Sequence, residues 1–254
     1  MPPGTSTRKW ATAERFTSSA SRTIISTTTT IVTTPAILVT TSTEGLARLL
    51  QLASPALPVG AYSYSGGLEA AAEAGIVTDA ASAERWIGDV LEHSIARMEA
   101  PVLWRMMREP AGMGKWNEFF LASRETAELR AETAQMGYSL ARLLEDLGAG
   151  TIGLDEPSFP AAFAFAVTAW KVDAQAALQA YLWAWLENQA MAAVKSVPLG
   201  QTDAQRMLLS LGSKLADIVA RATRIEDDRL ANFAPRLAVL SARHETQYSR
   251  LFRS

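Results

Sequence analysis

Two histidines, no cysteine and a closing run "SARHETQYSRLFRS" limit the chemistry open to this 254-residue chain. A Ser-His-Asp triad would need His93 or His244, and a two-histidine metal site would need both. Neither sits in an i, i+4 pair of the H-E-x-x-H kind. Without cysteine there are no disulfides, thiolate ligands or thiol nucleophile. His93 lies beside Glu92 in an amphipathic stretch and reads as a structural histidine, because a metal site needs several convergent ligands. His244 and Glu245 are adjacent and too few for one. The chain is therefore expected to hold no metal site and no tightly bound cofactor of its own.

The remaining candidates are weaker as chemistry. In "SRETAELRAE", Glu125 and Glu128 could serve as general acids, but no second motif says on what they would act. Arg124 and Glu128 form an opposite-charge i, i+4 pair and Glu128 and Glu132 a like-charge one, so the stretch reads as a solvated helix face. Gly66-Gly67 precede a helix, yet no G-x-x-x-x-G-K-[ST] or G-x-G-x-x-G is present, and the pair reads as a turn. Tyr62 and Tyr64 alternate with serines there and are expected to form an exposed contact surface. Lys195 ends an apolar run, where its charge complements the helix dipole. The last block gathers Arg243, His244, Glu245, Gln247, Tyr248, Arg250, Phe252 and Arg253. Its arginines and aromatics suit a docking segment that folds on binding. As a nucleic-acid tail it is a weak footprint on a chain of net charge −2.

The elements that must position these residues are helical. "EGLARLLQLAS" places Leu46, Leu49, Leu50 and Ala53 at i, i+3, i+4, i+7, with Thr41 and Glu44 at capping-box spacing. Ser82 is placed as the N-cap of "SAERWIGDVLEHSIARM", and Pro101 is expected to open the next helix. A long helix over "ETAELRAETAQMGYSLARLLEDLG" ends at Gly148. "YLWAWLENQAMAAVKSV" is apolar almost all round and reads as a central helix. "TDAQRMLLSLGSKLADIVARAT" and "PRLAVLSARHETQ" follow. Strand alternation is nearly absent, so the class is all-α: one multi-helix bundle domain over residues 44–254. Residues 1–43 carry the uncharged, Thr-rich "TIISTTTTIVTTPAILVTTST" and are expected to be a disordered or non-native extension. Glu187, Asn188 and Gln189 interrupt the longest apolar run, so no membrane span is expected.

Four blocks, "LLQLASPALPVGAYSYSGGLE", "SRETAELR", "AVKSVPLGQTDAQ" and "SARHETQYSRLFRS", resemble the urease accessory protein F family (UreF) in content and order. They span the chain from Leu46 to Ser254, and the last is the most specific. Members usually begin near "GLARLLQLAS", so the first forty or so residues depart from the pattern. The resemblance implies an all-α, non-catalytic, cytoplasmic protein that assists nickel-centre assembly in apo-urease. It implies binding to the scaffold accessory protein UreD (also called UreH) and recruitment of the GTPase UreG. Nickel would be handled by the assembly complex and GTP bound by the GTPase; some members dimerise. By the same resemblance the C-terminal block engages the scaffold, with Tyr248 and Arg250 foremost and Tyr62 and Tyr64 nearby. Lys195 and Gln201 match the GTPase contact. Two rival classes stand beside it: a helical enzyme using Glu125 and Glu128, and a helical DNA-binding regulator, for which no basic recognition helix stands out.

Overall fold

The computed structural model describes residues 42–254. Among them are eleven α-helices and no strand, so the class is all-α. The expectation for the Thr-rich extension and for a Thr41 cap falls outside the described residues. Helix α1 (Thr43–Ala53) is capped by Ser42, whose hydroxyl accepts the Gly45 N–H at 3.0 Å. Its buried stripe is Gly45, Leu49 and Leu52. Leu46 and Leu50 instead turn outward, 50% and 65% exposed, because they lie about 100° round the helix from that stripe.

Helix α2 (Leu68–Glu73) follows the glycine pair. Helix α3 (Ala80–Val90), a π-helical segment (Leu91–Glu99) and α4 (Ala100–Arg108) then run on without a break. Asp79, not Ser82, is the N-cap. Ser82 occupies the third position of a reciprocal capping box, its N–H donating to Asp79 at 2.8 Å while its hydroxyl accepts the Asp79 N–H at 3.0 Å. Those hydrogen bonds from Ser82 hold the Asp79 carboxyl below its ordinary value.

Pro101 stands in the first turn of α4, as expected, but α4 continues the π-helical segment rather than starting afresh, so a helical turn precedes the proline. Proline lacks an N–H and crowds the carbonyl four residues back, that of Arg97. The wider π turn makes room, with the Ala100 N–H reaching Ile95 five residues back. The Arg97 carbonyl accepts from the Ala231 N–H at 3.3 Å, and the His93 carbonyl from the Phe233 N–H at 3.2 Å. A distant segment thus donates to two carbonyls of this helix, one of them Arg97, whose α-helical donor would have been the N–H that Pro101 lacks.

Helix α5 (Met113–Ala122) leads to α6 (Ala127–Asp146), capped by Thr126. Helix α7 (Phe159–Ala169) packs closely on α6 at Gly137. A Cβ there would stand 2.0 Å from the Pro157 carbonyl oxygen. The central helix is α8 (Ala174–Ser196), in contact with α1, α2, α4, α9 (Gln201–Gly212) and α10 (Leu215–Ala222). Its Tyr181 packs edge-on to Phe163 at 5.0 Å. The run expected as one helix from Thr202 onward divides at Ser213-Lys214, where Gly212 lets the Trp183 ring press on the backbone. Helix α11 (Pro235–His244) carries the chain back to α2. Among the described residues, no helix is long and apolar enough to cross a membrane.

Candidate partner-docking site

The closing block is not a free tail; it lies folded on the domain. The turn that receives it needs glycine: Gly66 and Gly67 have φ of 57° and 81°. A Cβ at Gly67 would also meet the Leu237 side chain at 2.6 Å. Glycine there lets α11 close on α2, and this brings His244, at the end of α11, over Glu69.

His244 is fully buried. Its Nδ1 lies 2.6 Å from Glu128 and its Nε2 3.2 Å from Glu69. As an imidazolium the ring donates to both carboxylates; as a neutral ring it donates to one. The two carboxylates sit on opposite ring nitrogens, so they cannot converge with the imidazole on one ion. Among the described residues no group of three or more such side chains could hold a metal ion.

Beyond His244 the chain is fastened residue by residue. Glu69 accepts the backbone N–H groups of Leu251 and Phe252 at 2.7 and 2.9 Å. The Arg253 N–H donates to the Ser63 carbonyl at 2.8 Å, and the Ser65 N–H and hydroxyl donate to the Ser254 carbonyl. The Ser254 hydroxyl donates to Glu132 at 2.6 Å, and Arg250 pairs with Glu128 at 2.6 Å. Glu245 accepts from the Ala127 N–H at 2.9 Å, placing its charge at the N-terminus of α6, where the dipole favours an anion. Gln247 donates to the Ser249 carbonyl.

What the fastening leaves outside is the surface itself. Tyr248 is fully exposed, and Arg243, Arg250 and Leu251 are exposed beside it in sequence. Phe252 is buried, 5.4 Å from the Lys195 ammonium, which also stands 6.0 Å over the Tyr62 ring. Tyr62, Lys195 and the tail therefore meet in one place. Tyr64 departs from the expectation of an exposed pair: Tyr62 is 68% exposed but Tyr64 only 6%, since a 3₁₀ turn over Ala61–Ser63 precedes it and turns it inward. Its carbonyl accepts from Asn188 of α8. Gln201 opens α9, exposed to solvent, with no hydrogen bond or cation–π contact to the tail among the described residues.

Beneath this surface lies a cavity of about 280 Å³ with Tyr62 and Lys195 among its walls. Its polar wall contains Glu99, Arg124, Glu132 and Tyr181. Burial pushes the Glu132 carboxyl up to about 7, with the Ser254 hydroxyl and Arg124 opposing the rise and Glu99 adding to it. Burial and the Glu99 charge raise the Tyr181 phenol, which hydrogen-bonds Glu99.

The expected solvated helix face around Arg124 is corrected on two counts. Arg124 and Glu125 precede α6 and are half-buried, and Arg124 pairs with Glu99 and Glu125 at 3.2 and 3.4 Å rather than with Glu128. Glu128 is taken by His244 and Arg250. Neither Glu125 nor Glu128 lines the cavity. Sequence reasoning missed Glu69, Glu99 and Tyr181. The one available signal was the like-charge pair Glu128 and Glu132, which a helix face keeps most readily where donors from elsewhere meet it.

The family model described as UreF matches residues 77–212. "Urease accessory protein UreF" of Azoarcus sp. (strain BH72) is 56% identical over 223 residues, covering 82% of this chain and 95% of the relative. The protein of the same name from Dechloromonas aromatica (strain RCB) is 51% identical over 222 residues, covering 82% and 97%. "Bifunctional urease accessory protein UreEF" of Bordetella bronchiseptica is 51% identical over 226 residues, which cover 82% of this chain and 52% of that protein. These relatives bear the name of an accessory protein and not of a catalyst. On a match of this extent and identity, the chain belongs to the UreF family of urease accessory proteins.

Proposed function

We propose that the protein is a non-catalytic assembly factor for the nickel centre of urease, docking on the scaffold protein UreD/UreH through the folded C-terminal block. The observation that carries this reading is the tail itself. Glu69, Glu128 and Glu132 hold it down, leaving Tyr248, Arg250 and Leu251 outward. A pre-ordered segment loses less entropy on docking than a free one, and Tyr and Arg anchors are the residues that dominate interfaces. Lys195 and Tyr62 adjoin the tail and suit a second contact, with the GTPase UreG, to which Gln201 would add. In this reading nickel travels with the assembly complex, GTP stays on the GTPase, apo-urease is the final client and the setting is cytoplasmic. Two copies of the protein would act as a pair. The UreEF name of the Bordetella relative supports a place among urease maturation proteins.

The test is co-purification of UreD/UreH and UreG with wild type, Arg250→Ala, Tyr248→Ala and Lys195→Ala, followed by urease activation with nickel and GTP. Loss of scaffold capture in the tail variants and of UreG capture in Lys195→Ala is expected. Full capture and activation by all three variants would sink the assignment.

A further inference from the structure

Helix α11 buries Leu237, Leu240, Ser241 and His244. Its other side carries Arg236, Val239 and Arg243, all exposed. At about 100° per residue, Arg236 and Arg243 lie within about 20° of each other round the helix and roughly 10 Å apart along it, with Val239 about 60° away. The three form one outward stripe. It runs directly into the tail, which exposes Tyr248 and Leu251.

The charge on this stretch is one-sided. From Pro235 to Ser254 there are four arginines and one acidic residue, Glu245. Glu245 is engaged by the Ala127 N–H and lies about 160° round from Arg243. Arg250 is engaged by Glu128. Arg236, Arg243 and Arg253 are exposed and, among the described residues, their side chains make no hydrogen bond or ion pair. Arg243 stands in the last turn of α11, where the helix dipole accounts for a cation. Arg236 stands in the first turn, where the dipole opposes one, and that turn holds no acidic residue to offset it. The stability of the fold therefore does not account for Arg236, whereas an anionic group arriving from outside would.

We propose that the outward stripe of α11 extends the docking surface of the tail and receives an acidic face of the scaffold protein, whose attraction speeds association. This rests on the reading of the tail as the scaffold-docking segment. Carboxylates placed opposite Arg236 and Arg243 find the complementary sign and no carboxylate on the stripe to repel them. Val239, Tyr248 and Leu251 supply exposed apolar surface beside the charges. Complementarity of this kind acts chiefly on the association rate and on the choice of partner. A nucleic-acid strand fits less well, because it is charged at every phosphate and the stripe offers two cations with an apolar side chain beside them.

The experiment measures association and dissociation rates of the full chain on immobilised UreD/UreH, by biolayer interferometry at low and physiological salt. The wild-type association rate should fall as salt rises. Arg236→Glu/Arg243→Glu should lower the low-salt association rate at least roughly tenfold while the dissociation rate stays within about threefold. Arg236→Lys/Arg243→Lys should keep the wild-type rate. Arg236→Gln/Arg243→Gln, which adds no opposite charge, should flatten the salt dependence and serves if the reversal fails to fold. Urea midpoints read the fold separately: Arg236→Glu should be at least as stable as wild type, because an anion suits a first turn. A salt-independent wild-type rate, wild-type association by the reversal or Gln variants, a Lys variant as slow as the reversal, or displacement of the scaffold by a short DNA duplex would each overturn the proposal. Binding lost in Tyr248→Ala but untouched by the reversal would overturn it alone and leave the tail reading standing, whereas absence of wild-type binding at both salts would overturn both.

Discussion

The backbone N–H of Phe252 donates to the Glu69 carboxylate at 2.9 Å, across 183 residues of chain. The same carboxylate takes the Leu251 N–H and faces His244. One buried side chain on a short helix therefore sets both the path of the tail and the position of the imidazole at its root. A carboxylate accepting backbone donors is a strong hydrogen-bond partner, and its removal would leave those donors unmet.

Glu69→Ala should release the tail without unfolding the bundle. Amide exchange at Leu251 and Phe252 should speed up by about tenfold or more, matching roughly 1.4 kcal/mol or more of local stability, while amides in the core of α8 keep their protection. Hydrogen exchange read by mass spectrometry separates the two. Unchanged exchange at both tail amides would contradict the anchoring role.

Tyr248 and Arg250 should separate binding from stability. Tyr248 is fully exposed, so Tyr248→Ala should shift unfolding by no more than about 0.5 kcal/mol while weakening scaffold capture. Arg250 is partly exposed and paired with Glu128, so Arg250→Ala should cost about 1 kcal/mol or less and also weaken capture. Urea titration beside a pull-down reads both, and a large stability loss in Tyr248→Ala would contradict a role confined to the surface.

Stability should depend on pH through Glu132. Its carboxyl is raised from 4.5 to about 7 by burial, so the unfolded chain releases this proton first as pH rises. The contribution is complete below about pH 4.5 and is lost as pH climbs through about 7, with ~3 kcal/mol as its upper limit. Glu132→Gln should flatten the curve across that window. A variant that keeps the wild-type slope in urea midpoints on either side of it would place the dependence elsewhere.

Gly137→Ala should run against the usual helix rule. In an exposed helix the change gains roughly 1 kcal/mol. Here the new Cβ would lie 2.0 Å from the Pro157 carbonyl oxygen and 2.5 Å from the Ser158 carbonyl carbon, both backbone atoms that cannot turn away. A loss of about 3 kcal/mol is expected from forcing α6 and α7 apart, and thermal unfolding measures it. A stabilised variant would disprove the close approach.

The helices were legible because their apolar periodicity is local. The all-round apolar run of α8 marks a central helix whatever surrounds it, and the tail was recognisable as special from its arginines and aromatics. What escaped was everything set by partners far away in the chain. Asp79 and Ser82 were both in view, but the reciprocal hydrogen bonds that assign their roles depend on backbone angles. Arg124 and Glu125 looked like solvent-facing charges because Glu99, their neighbour in space, sits on another helix. Tyr62 and Tyr64 alternate in sequence, yet one 3₁₀ turn sends them to opposite environments. The docking reading of the tail rested on its outward residues, while Glu69, which holds its inner edge, carries no mark in "SGGLEA".

The Arg97 carbonyl, left without a donor by Pro101, is met by Ala231. A ribosome makes the helix from Ala80 to Arg108 well before Ala231, so the whole helix is synthesised before its Arg97 carbonyl can meet that donor. Its closure waits for the segment that leads directly into α11 and the tail. The same late arrival that finishes the early helix brings the docking surface into place. A nascent chain stalled before residue 231 would thus hold neither the Ala231–Arg97 hydrogen bond nor the docking surface.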